Sequence, residues 1–308
     1  MKSLLREQID NPNKITSVFF SYLKTELTSG NPHLSEEEQE RLRSHYPYVM
    51  DSYRYPAELV AIIYSIRRAY PTKALLESET PLVLDAGCGY GSDSILFAAL
   101  GAKVLAVDTS PEHIEIAEKR KRYYEETLEK SLDITFEMAD LNEYTPNRAD
   151  ISLTWLSSVL AVIADQDTFL SRLYRATRGS GKIMIVDYNL WNPHVLWTEW
   201  RRRRQALSKS PEFARHADFW GMVNRKNRLG AMFFPRSEGG FFDDVQFFSP
   251  RSLGRLLERV GFRLSPSFFS GFAPPFLFNG LSAQVERAFS QVPIIKNLGR
   301  ANLVTAVK

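Results

Sequence analysis

The chain has 308 residues, of which 44% are hydrophobic and 24% charged, the balance of a folded globular protein rather than a disordered or fibrous one. A formal net charge of +3 gives no global electrostatic case for nucleic-acid binding, and a single cysteine, Cys88, excludes an internal disulfide. No segment reaches the roughly 18 apolar residues of a membrane-spanning helix, and MKSLLREQIDNPNK lacks the apolar core of a signal peptide. A soluble cytoplasmic protein is expected.

Residues 1–75 read as an N-terminal helical cap. Ser35 followed by Glu36, Glu37 and Glu38 is a helix start, with a side-chain cap and acids in the first turn. YPAELVAIIYSIRRAYP places Leu59, Ile62, Ile63 and Ile66 at helical spacing and is expected to stop before Pro71. From Pro81 the pattern changes. LVLDAG is a continuous apolar run, as in a strand covered on both faces. It is followed by a helix closed at Gly101, a second strand KVLAVD, and a long helix with Ser110 as cap and Pro111 at its first position. DITFEMAD and ADISLTWL are the third and fourth strands. DQDTFLSRLYRATRGSG is a helix ending in a glycine turn, and KIMIVDYN is the fifth strand. Residues 190–246 break the alternation and read as an insertion over the rim. Ser249, Pro250 and Gly261 then bound another helix, and FRLSPSFF and ANLVTAVK are two last strands. Strand and helix in alternation predict an α/β, Rossmann-like, doubly wound sheet with its ligand rim at the strand C-termini.

The rim chemistry is unusual for a nucleotide site. VLDAGCGYGSDS puts Gly87, Gly89 and Gly91 behind a strand that ends in Asp85 and Ala86. The spacing departs from the G-x-G-x-x-G of nicotinamide-binding folds, and a carboxylate at the mouth would repel a phosphate. It suits a ligand with a cationic group, while glycines let the backbone turn sharply and a ligand come close. Asp108 closes the second strand, 23 residues after Asp85, where an acid accepts ribose hydroxyls. Asp140 and Leu141 end the third strand, an acid for an exocyclic amine beside an apolar group for a ring. Three acids at three strand ends point to a phosphate-free, positively charged adenosine.

Residues 81–190 resemble the core of a class I S-adenosylmethionine-dependent methyltransferase, in LDAGCGYG, VLAVDTSPEHIEIAEKR, MADLNEY and RATRGSGKIMIVDYN, and beyond them FSPRSLGRLLERVGF resembles the family's penultimate helix. The resemblance implies a seven-stranded sheet with its last strand antiparallel, and S-adenosyl-L-methionine as cofactor. It implies a methyltransferase domain over 76–308 and cofactor contacts from Asp85, Ala86, Gly87, Cys88, Gly89, Asp108, Thr109, Asp140, Leu141 and Trp155. The acceptor is expected to be a small molecule. The stretch SSVLAVIAD after the fourth strand lacks the histidines that many small-molecule members carry there, so no catalytic role transfers to it.

Several features keep two readings. Trp155 either packs in the core or lines the methyl-transfer pocket. Cys88 fits a small filler beside the cofactor better than a nucleophile. Tyr188 and Asn189 end the fifth strand and are candidates to meet the acceptor. His194 and Tyr188 are the candidate bases for a hydroxyl acceptor, His216 a weaker one. Tyr55, with Tyr48 and Tyr53, is a candidate to close the pocket from the N-terminal side. Between Trp191 and Gly230 stand nine basic residues, including Arg201–Arg204, against three acids. This is either a solvated helix face or a surface for an acidic small molecule, a lipid head group or a nucleic acid. No nucleic-acid module flanks it, and the five histidines do not cluster with acids at metal-ligand spacing. The competing functions are a nicotinamide-dependent oxidoreductase on a similar sheet and a non-catalytic cofactor-binding protein. The sequence leaves the oligomeric state open.

Overall fold

The computed structural model describes residues 12–46, 68, 71–75, 81–189, 192, 197, 200, 234–235, 241–242, 248–265, 268–270 and 301–308. Two helices open the chain, α1 (Pro12–Ser29) and α2 (Glu36–His45). Ser35 caps α2 as expected, in a reciprocal arrangement: its hydroxyl accepts from the Glu38 N–H, while the Glu38 carboxylate accepts from the Ser35 N–H. Residues 71–75 are helical, and proline is tolerated in a first helical turn; apart from Arg68, the helix expected to stop before Pro71 lies outside the described residues.

The alternating core follows: β1 (Leu82–Ala86), α3 (Ser92–Ala99), β2 (Lys103–Asp108), α4 (Pro111–Leu128), β3 (Ile134–Met138), β4 (Ile151–Ser157), α5 (Gln166–Ala176) and β5 (Thr177–Tyr188). A short hairpin, β6 (Phe234–Pro235) with β7 (Phe241–Phe242), falls within the expected insertion. The chain then forms α6 (Pro250–Val260), β8 (Arg263–Leu264), β9 (Phe268–Ser270) and β10 (Ala301–Val307). Ser110 and Ser249 cap α4 and α6 with proline at the start of each helix, and Gly261 ends α6 in a left-handed conformation.

The sheet runs β3-β2-β1-β4-β5-β10, the first five strands parallel and β10 antiparallel to β5. Both β8 and β9 lie antiparallel to β10 on its far side. Their registers, Leu264 opposite Ala306 and Phe268 opposite Leu303, differ by one residue, so the two pieces fill one strand position beside β10 with a shifted register. Pro266, which brings no N–H to a ladder, lies between them in the sequence. The sheet therefore has seven positions, six parallel and one antiparallel.

Alternation along the strands divides the core. Val83, Val104, Leu153, Trp155 and Val186 join the cluster containing α1, α2, α3 and α4 residues. Leu84, Ala86, Leu156, Ile185 and Val304 join the cluster on α5 and α6. Phe19, Leu23 and Leu27 of α1 and Leu42 of α2 belong to the first cluster, so these N-terminal helices share the core of the sheet. One local expectation changes. The glycine segment after α5 is not a free turn but part of β5: Thr177 pairs with Ile151 and Lys182 with Leu153, leaving residues 178–181 as a bulge between the pairs. A Cβ on Gly181 would collide with the Thr177 side chain and the Ile151 carbonyl, which explains the glycine.

Candidate active site

The rim at the ends of β1, β2 and β4 is built on the glycine loop. Gly87, Gly89 and Gly91 all have positive φ, at 78°, 51° and 75°. The Gly87 and Cys88 N–H groups donate to the Val107 carbonyl at 2.7 and 3.0 Å, which ties the loop to β2. A Cβ on Gly87 would overlap the Val159 side chain, whereas a Cβ on Gly89 would meet nothing within 4 Å. The loop is thus packed from beneath at Gly87 and open at Gly89, where a ligand can reach the backbone.

Asp85 is 2% exposed and accepts the Ser94 hydroxyl at 2.5 Å. Burial pushes its carboxyl up to about 8; the charges of Asp93 and Asp108 push the same way, and Ser94 and Arg68 offset only part of this. Asp108 behaves oppositely. Burial raises it, but hydrogen bonds from His113, from the Ser110 N–H at 3.0 Å and from the Gly89 N–H at 2.8 Å outweigh burial and hold it below the usual carboxylate value. His113 Nδ1 lies 3.1 Å from Asp108 Oδ1. Asp108 is therefore a ready anion and acceptor, with lone pairs beyond those its three partners use, while Asp85 is an acid that a cationic ligand would stabilise as the carboxylate.

Cys88 is half-buried, and burial with the nearby Asp85 and Asp108 carboxylates pushes its thiol well above the usual value. That environment keeps the sulfur protonated, opposite to what a nucleophile needs. Ala86 is buried at the end of β1, and Thr109 is exposed on the rim beside Asp108. Asp140 lies two residues past the end of β3, in an exposed turn where its Oδ1 accepts from the Asn142 N–H at 2.9 Å and Nδ2 at 3.1 Å. Leu141 points into the core cluster of α5 and is 4% exposed.

Trp155 departs from the pocket reading. It pairs with Asp85 in the β1–β4 register, is 1% exposed, packs edge-on against Phe97 at 6.0 Å, and donates its indole N–H to Asp93 Oδ2 at 2.8 Å. At the same level of the sheet as Asp85, its side chain packs on the face covered by α3, and Trp155 is a core residue. Asn189 is likewise 0% exposed and bridged to Phe248. The backbone of Tyr188 ends β5 opposite Ala301; its side chain lies outside the described residues. His194, His216, Tyr48, Tyr53, Tyr55 and Arg201–Arg204 also lie outside them.

Three rim features escaped the sequence reading. His113 reaches Asp108 because the Ser110–Pro111 start fixes the first turn of α4 over the end of β2. Asp93 holds both the Trp155 indole and Arg68, whose Nε donates at 2.5 Å. Ser158, at φ 62°, turns the chain in a left-handed conformation just after β4 and sets Val159 against Gly87. Among the described residues no group of three or more His, Cys, Asp or Glu side chains is placed to hold a metal ion, and no helix is long and apolar enough to cross a membrane.

A family model described as a methyltransferase domain matches residues 78–233, half of the chain. The chain belongs to this family. S-adenosylmethionine is the cofactor that membership implies, and the acidic donor set at the rim with the open Gly89 backbone fits it. A demethylmenaquinone methyltransferase from Streptomyces avermitilis is 26% identical over 138 residues, 42% of this chain and 55% of the relative. A malonyl-[acyl-carrier protein] O-methyltransferase from Serratia marcescens is 28% identical over 120 residues, 39% of this chain and 43% of the relative. The chain thus spans about half the length of the curated relatives it matches. A crystal structure of a SAM-dependent methyltransferase from Methanosarcina mazei superposes on this chain with a TM-score of 0.51 at 15% identity, covering 75% of this chain and 93% of that one. At that identity the likeness is one of fold.

Proposed function

We propose that the chain transfers a methyl group from S-adenosylmethionine to an oxygen or nitrogen of a small-molecule acceptor. The observation that carries this is Asp85: a buried acid at the end of β1, directly before the glycine loop, whose carboxylate form a cationic ligand would stabilise. When bound, the cofactor supplies an electrophilic methyl group on a sulfonium. The chain holds its parts separately. Asp85 faces the cationic amino-acid end, Asp108 accepts the ribose hydroxyls, and Asp140 accepts the adenine amine. Alignment and exclusion of water then supply most of the rate. His194 or Tyr188 takes the proton if the acceptor is a hydroxyl.

Residues 1–75 act as a helical cap, and 190–246 as a lid on the acceptor side of a domain spanning 76–308. The names of the two relatives, a demethylmenaquinone and a malonyl-[acyl-carrier protein] methyltransferase, support an acidic or lipid-linked acceptor over a nucleic acid. The nine basic residues between Trp191 and Gly230 suit an acidic group.

Calorimetric titration with S-adenosylhomocysteine and with NAD tests the cofactor: binding of the former alone is expected, and binding of NAD alone would overturn the reading. A screen of cell extract with methyl-labelled cofactor, fractionated by size, tests the acceptor. Label is expected in small molecules, and label confined to nucleic acid would refute that class.

A further inference from the structure

Arg120 stands in the middle of α4, on the face that also buries Ile116, Ala117 and Tyr124, and is 0% exposed. Its guanidinium reaches in two directions. Nε and Nη2 donate to Glu26 Oε1 and Oε2 of α1 at 2.9 and 2.7 Å, a two-pronged pair whose partner is also 0% exposed. Nη1 donates to the Tyr90 carbonyl at 2.5 Å and to Ser92 Oγ at 2.9 Å. Glu26 is held in turn by Asn31 Nδ2 at 2.9 Å and the Tyr124 hydroxyl at 3.1 Å, and the Tyr46 hydroxyl lies 2.6 Å from Ser92 Oγ. A buried ion pair contributes little net stability over apolar side chains of similar volume, so packing alone does not account for one here. What it does reach is the cofactor loop. Tyr90 sits between Gly89 and Gly91, both left-handed and of the residue type with the widest backbone freedom. The Gly89 N–H is held by Asp108 and the Gly91 N–H by the Cys88 carbonyl, and a charged, fixed donor on the Tyr90 carbonyl restrains the residue between them.

We infer that the Arg120–Glu26 pair is a positioning device for the cofactor loop, through which α1 and α4 hold backbone 89–92, up to the start of α3, in its binding conformation. Arg120 and Glu26 touch no ligand; they lower the ordering penalty of binding by fixing the loop beforehand. This rests on the cofactor reading above and deepens it: the amino-acid end of the cofactor, which the loop wraps, is the part whose affinity depends on the pair.

The test uses the double variant R120M/E26Q, which leaves no unpaired buried charge and keeps an amide oxygen for Asn31, with an amide N–H that can donate to the Tyr124 hydroxyl in place of the lost acceptor. R120K is a second variant, whose point charge keeps Glu26 but cannot span both Glu26 and Tyr90. Wild type and both variants are titrated with S-adenosylhomocysteine and with 5′-methylthioadenosine, which lacks the amino-acid end, and unfolded in urea. Both variants are expected to bind S-adenosylhomocysteine about tenfold more weakly and methylthioadenosine within about twofold of wild type. A purely structural pair would change the urea midpoint and leave both dissociation constants, or their ratio, unchanged, and that result overturns the proposal. Wild type that binds neither ligand overturns the cofactor reading instead.

Discussion

Replacing Asp85 by asparagine separates stability from cofactor binding at this rim. In the folded protein the Asp85 carboxyl titrates near 8, raised by burial and then by Asp93 and Asp108, against an ordinary value of 3.8. Between these values the folded state keeps a proton that the unfolded chain has lost, so stability falls as pH rises through the window and levels off above it. At about 1.4 kcal/mol per unit, a window of about four units amounts to about 5–6 kcal/mol at its upper end and about 4 kcal/mol at pH 7. Asparagine cannot ionise and retains an oxygen for Ser94, so it escapes this penalty. Apo D85N should therefore exceed wild type in stability, by about 2 kcal/mol at pH 5 and about 4 kcal/mol at pH 7. Urea unfolding of both proteins at several pH values between 5 and 8 measures the increment. A difference that does not change with pH would refute a raised Asp85 pKa. Calorimetry with S-adenosylhomocysteine reads the opposite side: the variant should bind about tenfold more weakly or worse. Wild type should release a proton on binding at pH 7, and D85N should not.

Asp108→Ala removes the proposed ribose acceptor and the anchor for the Gly89 and Ser110 N–H groups. It should raise the S-adenosylhomocysteine dissociation constant by about 30- to 100-fold, and an unchanged titration would remove Asp108 from the site. Gly87→Ala should lose about 2–4 kcal/mol of stability through overlap with Val159. Gly89→Ala, with open space around it, should lose only about 1 kcal/mol from its left-handed backbone while weakening the cofactor complex. Comparable urea midpoints for these two variants would contradict the packing described. Trp155→Phe should lose about 1–3 kcal/mol because Asp93 Oδ2 is left without its buried donor. Its S-adenosylhomocysteine titration should match wild type within about threefold, and a large loss of affinity would return Trp155 to the pocket wall.

What could be read in advance was local. Ser35, Ser110–Pro111, Ser249–Pro250 and Gly261 cap their helices through contacts a few residues long, so the residue types alone disclosed them. The parallel, doubly wound sheet followed from alternation, and the antiparallel ANLVTAVK from the family resemblance. The misplacements arise where an element's end or its burial depends on distant chain. Trp155 looked like a rim residue because it stands next to the end of the fourth strand, read as ending at Leu156; its burial against Phe97 and its bond to the Asp93 carboxylate put it in the core. Leu141 and Asn189 sit at strand ends in sequence, yet neighbours from α5 and the Phe248 bridge bury them. The Arg120–Glu26 pair joins residues 94 apart and carries no local signal. Ser158 is left-handed without being glycine or asparagine, so nothing in its residue type announces the turn.

The contact between Gly87 and Val159 makes two distant positions answer to each other. The space a Cβ at 87 would need is the space the Val159 side chain fills. Shortening residue 159 should thus partly rescue a substitution at 87, and a double-mutant cycle between them should be non-additive. The left-handed backbone at 87 is not relieved this way, so the rescue stays incomplete. Among relatives, a larger side chain at 87 is then permitted only where 159 has become small, and drift at the end of β4 is constrained by the turn that follows β1.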